Sequence, residues 1–321
     1  MLDCADAPVF QVALATSTEE AWAASRRGLS AADLAMNVVL PEIDGRIVTR
    51  AISFKEARPR SEALEFSCLR HKPEPSRVDY VANLAAAWVC LRRKPRSTRQ
   101  IALVLSDYPA KGGRVGYAVG LDTPASVGGI ARELRNAGYE IGPLPEGDAL
   151  MHAFKSKSAL VELPLTEYRR HFATLPREFA EAVTSGWGDP GDDASVANAA
   201  FRLRVLRAGN FVISVQPDRG RRDARKADYH DANLPPRHSY IAFYIWLREI
   251  ACIDALIHLG THGTLEWLPG KAVALAEECA PEAVLGAVPV IYPFIVNDPG
   301  EAAQAKRRIA AVTIGHMCSS A

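Results

Sequence analysis

The side chains best suited to chemistry lie in one short segment, residues 254–271, whose sequence is DALIHLGTHGTLEWLPGK. Its apolar start predicts a buried strand that carries His258 to its end. A glycine-rich loop then holds His262 and Glu266 within a few residues. Imidazole and carboxylate groups together can accept protons, deliver them or bind a metal ion. Proton transfer or metal binding is therefore the chemistry that this segment predicts.

The spacing of these groups leaves more than one arrangement open. His258, His262 and Glu266 recur at intervals of four, which would place them on one face of a helix. Two glycines within that span favour a loop instead and would let a ligand come close to the backbone. The same loop carries Thr261 and Lys271 as further polar candidates. A structural interpretation also stays open, in which His258 is a satisfied core histidine and Glu266 caps a turn.

A second cluster precedes a predicted apolar helix. Residues 228–238, DYHDANLPPRH, contain two histidines, two acids and an arginine. Its candidates are His230, Arg237 and His238. Because His238 falls at the predicted helix start, it could simply serve the first turn of that helix.

Two basic segments are weaker candidates. The glycine-rich loop at residues 107–120 contains Lys111 and Arg114, which could meet an anion at the start of the following helix. A plain surface loop is the alternative. We interpret the basic triplet KRR at residues 306–308 as a solvated helix end whose charges suit the helix dipole.

Several catalytic motifs are absent. Residues 263–271 approach a phosphate-binding loop, but six residues separate Gly263 from Gly270, and Ala272 follows the lysine. We therefore expect that the chain does not bind ATP in that way. The sequence also lacks HExxH, GxSxG and GxGxxG.

The order of apolar runs predicts an α/β fold in several layers, with parallel-sheet units, a β-hairpin and helices. A continuous apolar run at residues 100–106 is typical of a strand in a parallel sheet. Residues 201–206 alternate between apolar and basic side chains, and a turn and an apolar run at 211–215 follow. This pattern predicts the hairpin. We predict that residues 145–200 are mainly helical and that residues 302–314 form a terminal helix.

These elements suggest a division of the chain into parts. We predict an α/β segment at residues 1–54 and a connection at residues 55–76, where prolines and basic residues interrupt any periodicity. A Rossmann-like α/β unit would follow at residues 77–200. A catalytic-type α/β segment with the HLGTHGTLEWLPGK loop would occupy residues 201–321.

The composition limits the partners. The chain has 321 residues, with 38 Lys and Arg against 37 Asp and Glu, and this net charge of +1 argues against nucleic acid or an anionic membrane as a partner. No apolar run approaches the ~20 residues of a membrane helix, and the acidic N-terminal segment does not fit a signal peptide. We therefore expect a cytoplasmic protein.

Its six cysteines show no CxxC spacing, so we expect mostly buried free thiols.

Longer strings of the sequence carry a resemblance. They are DLAMNVVLPEIDGRI (33–47), YAVGLDTPAS (117–126), QPDRGRRDARKADYHDANLPPRH (216–238), YIAFYIWLRE (240–249), DALIHLGTHGTLEWLPGKAVAL (254–275) and IYPFIVNDPGEAAQAKRR (291–308). In these strings, and over essentially its whole length, the chain resembles the family of chelatase large subunits that contains CobN and the magnesium-chelatase H subunit. The form EWLPGKAVAL at residues 266–275 is more similar to the cobalt branch.

The resemblance implies that the chain is the middle portion of a larger multidomain α/β subunit that binds a tetrapyrrole and inserts the metal. It implies Co²⁺ as the substrate metal and hydrogenobyrinic acid a,c-diamide as the tetrapyrrole, in aerobic cobalamin synthesis. The implied partners are an AAA+ ATPase subunit, which would use the ATP, and a subunit with an integrin-like domain. Such a fragment would be insufficient for activity by itself.

Roles for the candidate residues follow from this resemblance. We expect Glu266, His262 and His258 to be catalytic, with Glu266 and His262 also as transient metal ligands. Arg219 and Arg237 could form bidentate bonds with substrate carboxylates. The full set of expected substrate-binding residues is His230, Arg237, His238, Arg219, Lys271 and Thr261.

Three alternatives stay open. The chain could be a non-catalytic scaffold or binding fragment of that subunit. It could belong to a magnesium-chelatase H-type subunit that acts on protoporphyrin IX. It could also be a stand-alone zinc hydrolase that uses His258, His262 and Glu266, although the absence of HExxH argues against this.

Overall fold

The computed structural model describes most of the chain. The described residues are 7–106, 121–154, 156, 159–221, 228, 231–260, 263–295 and 299–316. Three predicted site residues, His230, Thr261 and His262, lie outside these ranges, as does the basic loop at residues 107–120.

Strands and helices alternate along most of the described chain. The strands are β1 (Phe10–Leu14), β2 (Ile47–Ala57), β3 (Leu69–Pro73), β4 (Ile101–Leu105), β5 (Leu160–Pro164), β6 (Val196–Ala197), β7 (Ala200–Ala208), β8 (Phe211–Val215), β9 (Ala255–Leu259), β10 (Val290–Ile295) and β11 (Val312–His316). The helices are α1 (Glu19–Ala24), α2 (Ala31–Leu34), α3 (Leu40–Ile43), α4 (Pro75–Arg93), α5 (Thr123–Asn136), α6 (Asp148–Ala153), α7 (Leu165–Phe172), α8 (Arg177–Trp187), α9 (His238–Ile245), α10 (Ala280–Leu285) and α11 (Pro299–Ile309).

The larger sheet has the strand order β11-β10-β9-β4-β8-β7-β5, with β6 paired to β7. The strands from β11 to β8 run parallel, whereas β7, β5 and β6 add antiparallel pairs. The predicted α/β class is confirmed. So is the hairpin, since β7 and β8 pair through Ala208 and Phe211.

Strand β4 shows why a continuous apolar run is needed at the centre of this sheet. Every residue of its sequence IALVL is buried. Ala102 and Val104 belong to the core that contains α9, while Ile101, Leu103 and Leu105 belong to the core that contains α5. Both faces of the strand are therefore covered, as is usual for parallel sheets.

The smaller sheet lies near the N-terminus. Strand β1 pairs parallel with β2, and β2 pairs antiparallel with β3. The segment 55–76, predicted as a connection, thus contains the end of β2 and the whole of β3. In the larger sheet, β4 pairs with β8 and β9, so the predicted 77–200 and 201–321 parts share one sheet. The division of the chain into domains stays a prediction.

Two sequence predictions about secondary structure are wrong. Residues 145–200 contain the helices α6, α7 and α8, but the prediction of mainly helical structure misses the strands β5 and β6, which both pair with β7. The terminal helix does not run to residue 314, because α11 ends at Ile309 and β11 begins at Val312. Ala310 has a φ of 51°, which stops the helix, and the β-branched residues that follow favour a strand.

A buried ion-pair cluster joins the N-terminal part to the C-terminal part. Glu282 of α10 accepts hydrogen bonds from Nε of Arg50 and from Nη1 of Arg77, both at 2.6 Å. All three side chains are buried. The loop before α10 contributes Val273 and Leu275 to the core beneath β2. The two parts therefore share both charge pairs and apolar core.

The exposure of the cysteines differs from the sequence prediction. The described cysteines are free thiols, as expected, but the prediction of mostly buried thiols is wrong, because Cys68, Cys90 and Cys252 are exposed and Cys279 is buried. Cys68 precedes the exposed strand β3, and Cys90 lies on an exposed position of α4.

In the described part of the chain, no helix combines the length and the apolar character that crossing a membrane requires.

Candidate functional site

The candidate site lies at the carboxyl ends of the parallel strands. Strands β4, β8 and β9 are neighbours and run in the same direction, so the residues that follow them meet at one edge of the sheet. Open α/β sheets bind ligands at such an edge. Here it brings together Ser106 after β4, Gln216 after β8 and the loop that follows β9.

His258 lies within β9 and is only 1% exposed. Its Nε2 is hydrogen-bonded to Oγ of Ser106, with 2.9 Å between the atoms. Its ring stacks on that of Tyr292 of β10, with the ring centroids 4.9 Å apart and an angle of 10° between the planes. The strands beside β9 thus fix the position of the imidazole.

Glycines let the loop approach this histidine closely. A Cβ on Gly263 would lie 2.4 Å from Cε1 of His258 and 3.2 Å from Oε2 of Glu266. A Cβ on Gly260 would lie 2.3 Å from Oγ of Ser106, and the φ of Gly260 is +155°. Both positions therefore need glycine, and the His258 ring and Oε2 of Glu266 approach the same point.

Glu266 lies on a short 3₁₀ turn, Leu265–Trp267, and is 1% exposed. Its Oε1 accepts hydrogen bonds from the N–H of Gly263 at 2.9 Å and from the hydroxyl of Tyr292 at 2.8 Å. Its Oε2 has no hydrogen-bond partner among the described residues. A buried polar atom without a partner is rare in folded proteins. Within the described ranges, one oxygen of the carboxylate is therefore hydrogen-bonded and the other is not.

Arg308 holds the loop that contains Glu266. Its Nη1 donates to the carbonyl of Glu266 at 2.5 Å, and its Nε donates to the carbonyl of Lys271 at 3.0 Å. The interpretation of residues 306–308 as a solvated helix end is wrong for Arg308, which is 6% exposed because α11 packs against this loop. Burial lowers the pKa of Arg308 to about 10.

Lys271 bonds to the N-terminal part of the chain. Its Nζ donates to the carbonyls of Trp22, Ala23 and Ser25 at 2.8, 2.7 and 3.1 Å. These carbonyls lie at the end of α1, where a cation suits the helix dipole. Its contacts favour a capping role for this lysine.

Arg219 and Arg237 also have partners within the chain. The guanidinium of Arg219 is buried and donates to the carbonyls of Trp267, Asp231 and Leu234. It therefore ties the loop after β8 to the Glu266 turn. Arg237 forms a bidentate pair with Asp193, at 2.7 and 3.1 Å.

His238 is buried at the first position of α9. Its Nδ1 is hydrogen-bonded to the hydroxyl of Tyr168 at 2.7 Å, and its Nε2 to the carbonyl of Gly188 at 3.1 Å. Burial lowers the pKa of His238, which favours the neutral imidazole. These contacts lie among α7, α8 and α9, and no bond joins them to Glu266 among the described residues.

A buried network behind the Glu266 turn was not predicted. Oε1 of Gln216 accepts from the N–H of Thr264 at 2.9 Å and from its hydroxyl at 3.0 Å. Nε2 of Gln216 donates to the hydroxyls of Tyr240 and Tyr244 at 3.1 and 2.7 Å. Burial raises the pKa of both tyrosines, so their hydroxyls stay protonated. This network fixes the start of the turn.

Ser106 and Tyr292 were missed as well, although both touch predicted site residues. The sequence places Ser106 directly after a parallel strand and Tyr292 within another. The order of the strands decides which side chains become neighbours, and it cannot be obtained from apolar runs alone.

A cavity lies near the site, but the described residues contain no cluster of metal ligands. Among the described residues, no group of three or more His, Cys, Asp or Glu side chains is arranged to hold a metal ion. His262, one of the two predicted metal ligands, lies outside those residues. A cavity of about 660 Å³ borders the same loop, and its lining includes Lys271 and Arg308 but not Glu266 or His258.

Comparisons with known proteins agree with this architecture. A family model described as CobN/Magnesium Chelatase matches residues 2–321. The aerobic cobaltochelatase subunit CobN of Sinorhizobium sp is 43% identical over 99% of this chain. The subunit of the same name from Pseudomonas aeruginosa is 45% identical over 97% of this chain. The match covers 26% of each of these two relatives.

A solved structure is similar in fold. It is described as the catalytic subunit of cobaltochelatase from Mycobacterium tuberculosis and is 41% identical, with a TM-score of 0.86. The similarity covers 98% of this chain and 27% of that one. The chain thus spans only a part of the length of the proteins that it matches.

Proposed function

The chain belongs to the CobN/magnesium chelatase family, and on this premise we propose that it is a portion of the tetrapyrrole-binding, metal-inserting subunit of an ATP-dependent cobaltochelatase. Its substrates would be Co²⁺ and hydrogenobyrinic acid a,c-diamide, in aerobic cobalamin synthesis. Identities of 43% and 45% to two CobN subunits support cobalt as the metal.

The reaction sets the chemistry that the site must perform. As Co²⁺ enters the metal-free corrin, four cobalt–nitrogen bonds form and the inner N–H bond of the macrocycle breaks, because a corrin binds the metal as a monoanion. One proton therefore leaves for each Co²⁺ ion that is inserted. The site needs bases near the macrocycle, and imidazole and carboxylate groups can also bind a divalent first-row metal loosely on its way in.

One observation carries the proposal: Glu266 is buried beneath the sheet edge with one carboxylate oxygen free of described partners. We assign to Glu266 the role of proton acceptor or transient metal ligand. His258 lies against the same point, next to Gly263, and is our candidate for a neighbouring basic group. His262 remains our candidate for a further basic group and metal ligand.

The other candidate residues fall into two groups according to their contacts within the chain. We keep His230 and Thr261 as possible substrate-binding groups. Four candidates already form hydrogen bonds within the chain: Arg219, Arg237, His238 and Lys271. These bonds would have to break before the four side chains could bind substrate, so their contacts favour structural roles. In this proposal an AAA+ ATPase subunit and a subunit with an integrin-like domain supply the ATP-driven work, and the assembly acts in the cytoplasm.

Replacement of Glu266 tests the proposal. In the complete subunit with its partner subunits, Glu266→Gln should lower the rate of Co²⁺ insertion by about 100-fold or more, the usual contribution of a positioned base. Tetrapyrrole binding, followed by absorbance, should change less than about twofold because the amide keeps the shape of the side chain. Glu277→Gln is the control, since the Glu277 side chain is 61% exposed. Normal turnover in Glu266→Gln would contradict the assignment.

A scaffold role is the second candidate, because this chain matches only 26% of each relative and part of the site could lie elsewhere in the subunit. Titration of the isolated chain with the tetrapyrrole separates the two. Saturable binding would support a substrate site within the chain, whereas no binding would support a scaffold. Activity of the complete enzyme with Mg²⁺ and protoporphyrin IX, but not with Co²⁺, would instead indicate the magnesium type.

A further inference from the structure

We propose that Tyr292 is a positioning residue for Glu266: its hydroxyl holds Oε1 of the carboxylate and so leaves Oε2 as the oxygen that accepts the proton. This inference rests on the proposed role of Glu266 in metal insertion. It adds a residue that the sequence analysis did not select, and it distinguishes the two oxygens of the carboxylate.

The first step of the argument is the hydrogen bond itself. Tyr292 is fully buried, and its hydroxyl lies 2.8 Å from Oε1 of Glu266. The N–H of Gly263 donates to the same oxygen at 2.9 Å. Two donors on one oxygen fix the orientation of the carboxylate.

The second step concerns the other oxygen. Oε2 is buried and has no hydrogen-bond partner among the residues that the structure describes. It faces the position where a Cβ of Gly263 would stand, as does the ring of His258. A free lone pair held at a fixed place is what proton acceptance requires.

The third step is that the sheet makes this arrangement rigid. Strands β9 and β10 pair in parallel, with Ile291 opposite Ile257, so the next residues along are Tyr292 and His258. Their rings stack with centroids 4.9 Å apart. The hydroxyl is therefore held by a strand and by a ring contact, and sites built on such elements are more exact than sites on loops.

The proton step balances with groups already named. The macrocycle N–H bond breaks, an O–H bond forms at Oε2, and the nitrogen lone pair that is released binds Co²⁺. Tyr292 transfers no proton in this step and acts through the orientation of Glu266, since its hydroxyl contacts both Oε1 of Glu266 and the N–H of Gly263.

The test uses Tyr292→Phe in the complete subunit with its partner subunits. Phenylalanine keeps the ring that stacks on His258 and removes only the hydroxyl. The N–H of Gly263 also donates to the Tyr292 hydroxyl at 2.6 Å, and in the variant it keeps Oε1 of Glu266 as its acceptor, so the change strands no buried donor. We expect kcat for Co²⁺ insertion to fall on the order of tenfold, as for loss of one hydrogen bond to a charged group, with KM for the tetrapyrrole unchanged within about twofold.

A double variant separates action through Glu266 from a general effect. In single-turnover measurements, Tyr292→Phe combined with Glu266→Gln should be no slower than Glu266→Gln alone, because Tyr292 then has no carboxylate to position. Tyr80→Phe is the control: it removes a buried tyrosine hydroxyl that donates to the carbonyl of Gly286 and leaves Glu266 untouched. A normal tetrapyrrole Kd and thermal midpoint show that each variant has folded.

The outcomes distinguish the two proposals. Normal kcat in Tyr292→Phe together with an inactive Glu266→Gln would overturn the role of Tyr292 and leave that of Glu266 intact. A further loss of rate in the double variant would also overturn it, because Tyr292 would then act independently. Normal turnover in Glu266→Gln would overturn the proposed function itself.

Discussion

Nη1 of Arg308 donates a hydrogen bond to the main-chain carbonyl of Glu266, with 2.5 Å between the two atoms. Nε of the same side chain donates to the carbonyl of Lys271, so one guanidinium holds two points of the loop. The preceding residue, Arg307, pairs instead with Glu42 of α3. Consecutive arginines of α11 therefore fix the Glu266 loop and the N-terminal part of the chain to the same helix.

The first prediction concerns Arg308→Met. Loss of the guanidinium leaves two buried carbonyls without their charged donor, so we expect the free energy of unfolding to fall by about 3 kcal/mol. Chemical denaturation measures this change. Arg307→Met is the matched control and should cost less, because its pair with Glu42 is partly exposed. Equal stability of wild type and Arg308→Met would contradict the role assigned to Arg308.

The second prediction concerns the buried acid at the interface of the two parts. Glu282→Gln keeps the size of the side chain but leaves Arg50 without its buried counter-charge and Arg77 with only the exposed carboxylate of Glu277. We expect a loss of about 3–5 kcal/mol in the free energy of unfolding. Glu277→Gln, which removes an exposed carboxylate 3.7 Å from Arg77, should cost about 0–1 kcal/mol. A similar loss in the free energy of unfolding for the two variants would contradict a special contribution of the buried ion pairs to stability.

The third prediction concerns the close approach at Gly263. In Gly263→Ala the new methyl group would lie 2.4 Å from Cε1 of His258, so the loop or the ring must move. We expect a loss of about 1–3 kcal/mol in stability and a slower metal insertion because Glu266 moves with the loop. Gly128→Ala is the control, since a Cβ there meets no atom within 4 Å. If both variants behave like wild type, the loop has room that the structure does not show.

The fourth prediction concerns pH. Burial lowers the pKa of His238 below its ordinary value of 6.5, so the folded protein keeps this imidazole neutral where the unfolded chain is already protonated. The unfolded state then binds more protons, and the free energy of unfolding decreases as the pH falls below 6.5. His238→Gln should flatten this part of the pH dependence, whereas His152→Gln, at an exposed position, should not. An unchanged slope in His238→Gln would contradict the prediction.

The sequence predicts the centre of the larger sheet well and its edges poorly. Strand β4 and the hairpin of β7 and β8 are marked by continuous or alternating apolar runs, which burial on both faces or on one face requires. Strand β5 lies at an edge and shows no such run, and β11 follows α11 after a short break at Ala310. Edge strands carry weaker patterns because neighbouring strands cover them on one side only.

The residues of the candidate site also differ in how well the sequence predicts them. His258 and Glu266 can be selected from the sequence because imidazole and carboxylate are the groups that move protons. Tyr292 cannot, because its contact with both residues depends on β10 lying beside β9. Arg308 was assigned to solvent because a basic helix end usually lies there, whereas packing of α11 on the Glu266 loop buries it.

The central claim is that Oε2 of Glu266 receives a proton from the macrocycle. A structure of the complete subunit with the metal-free tetrapyrrole bound tests it most directly. We predict that Oε2 lies within about 3 Å of a pyrrolic nitrogen, or is joined to it by one water molecule, as a general base must be. A macrocycle bound with all of its nitrogens remote from Glu266, and no water between them, would contradict the claim.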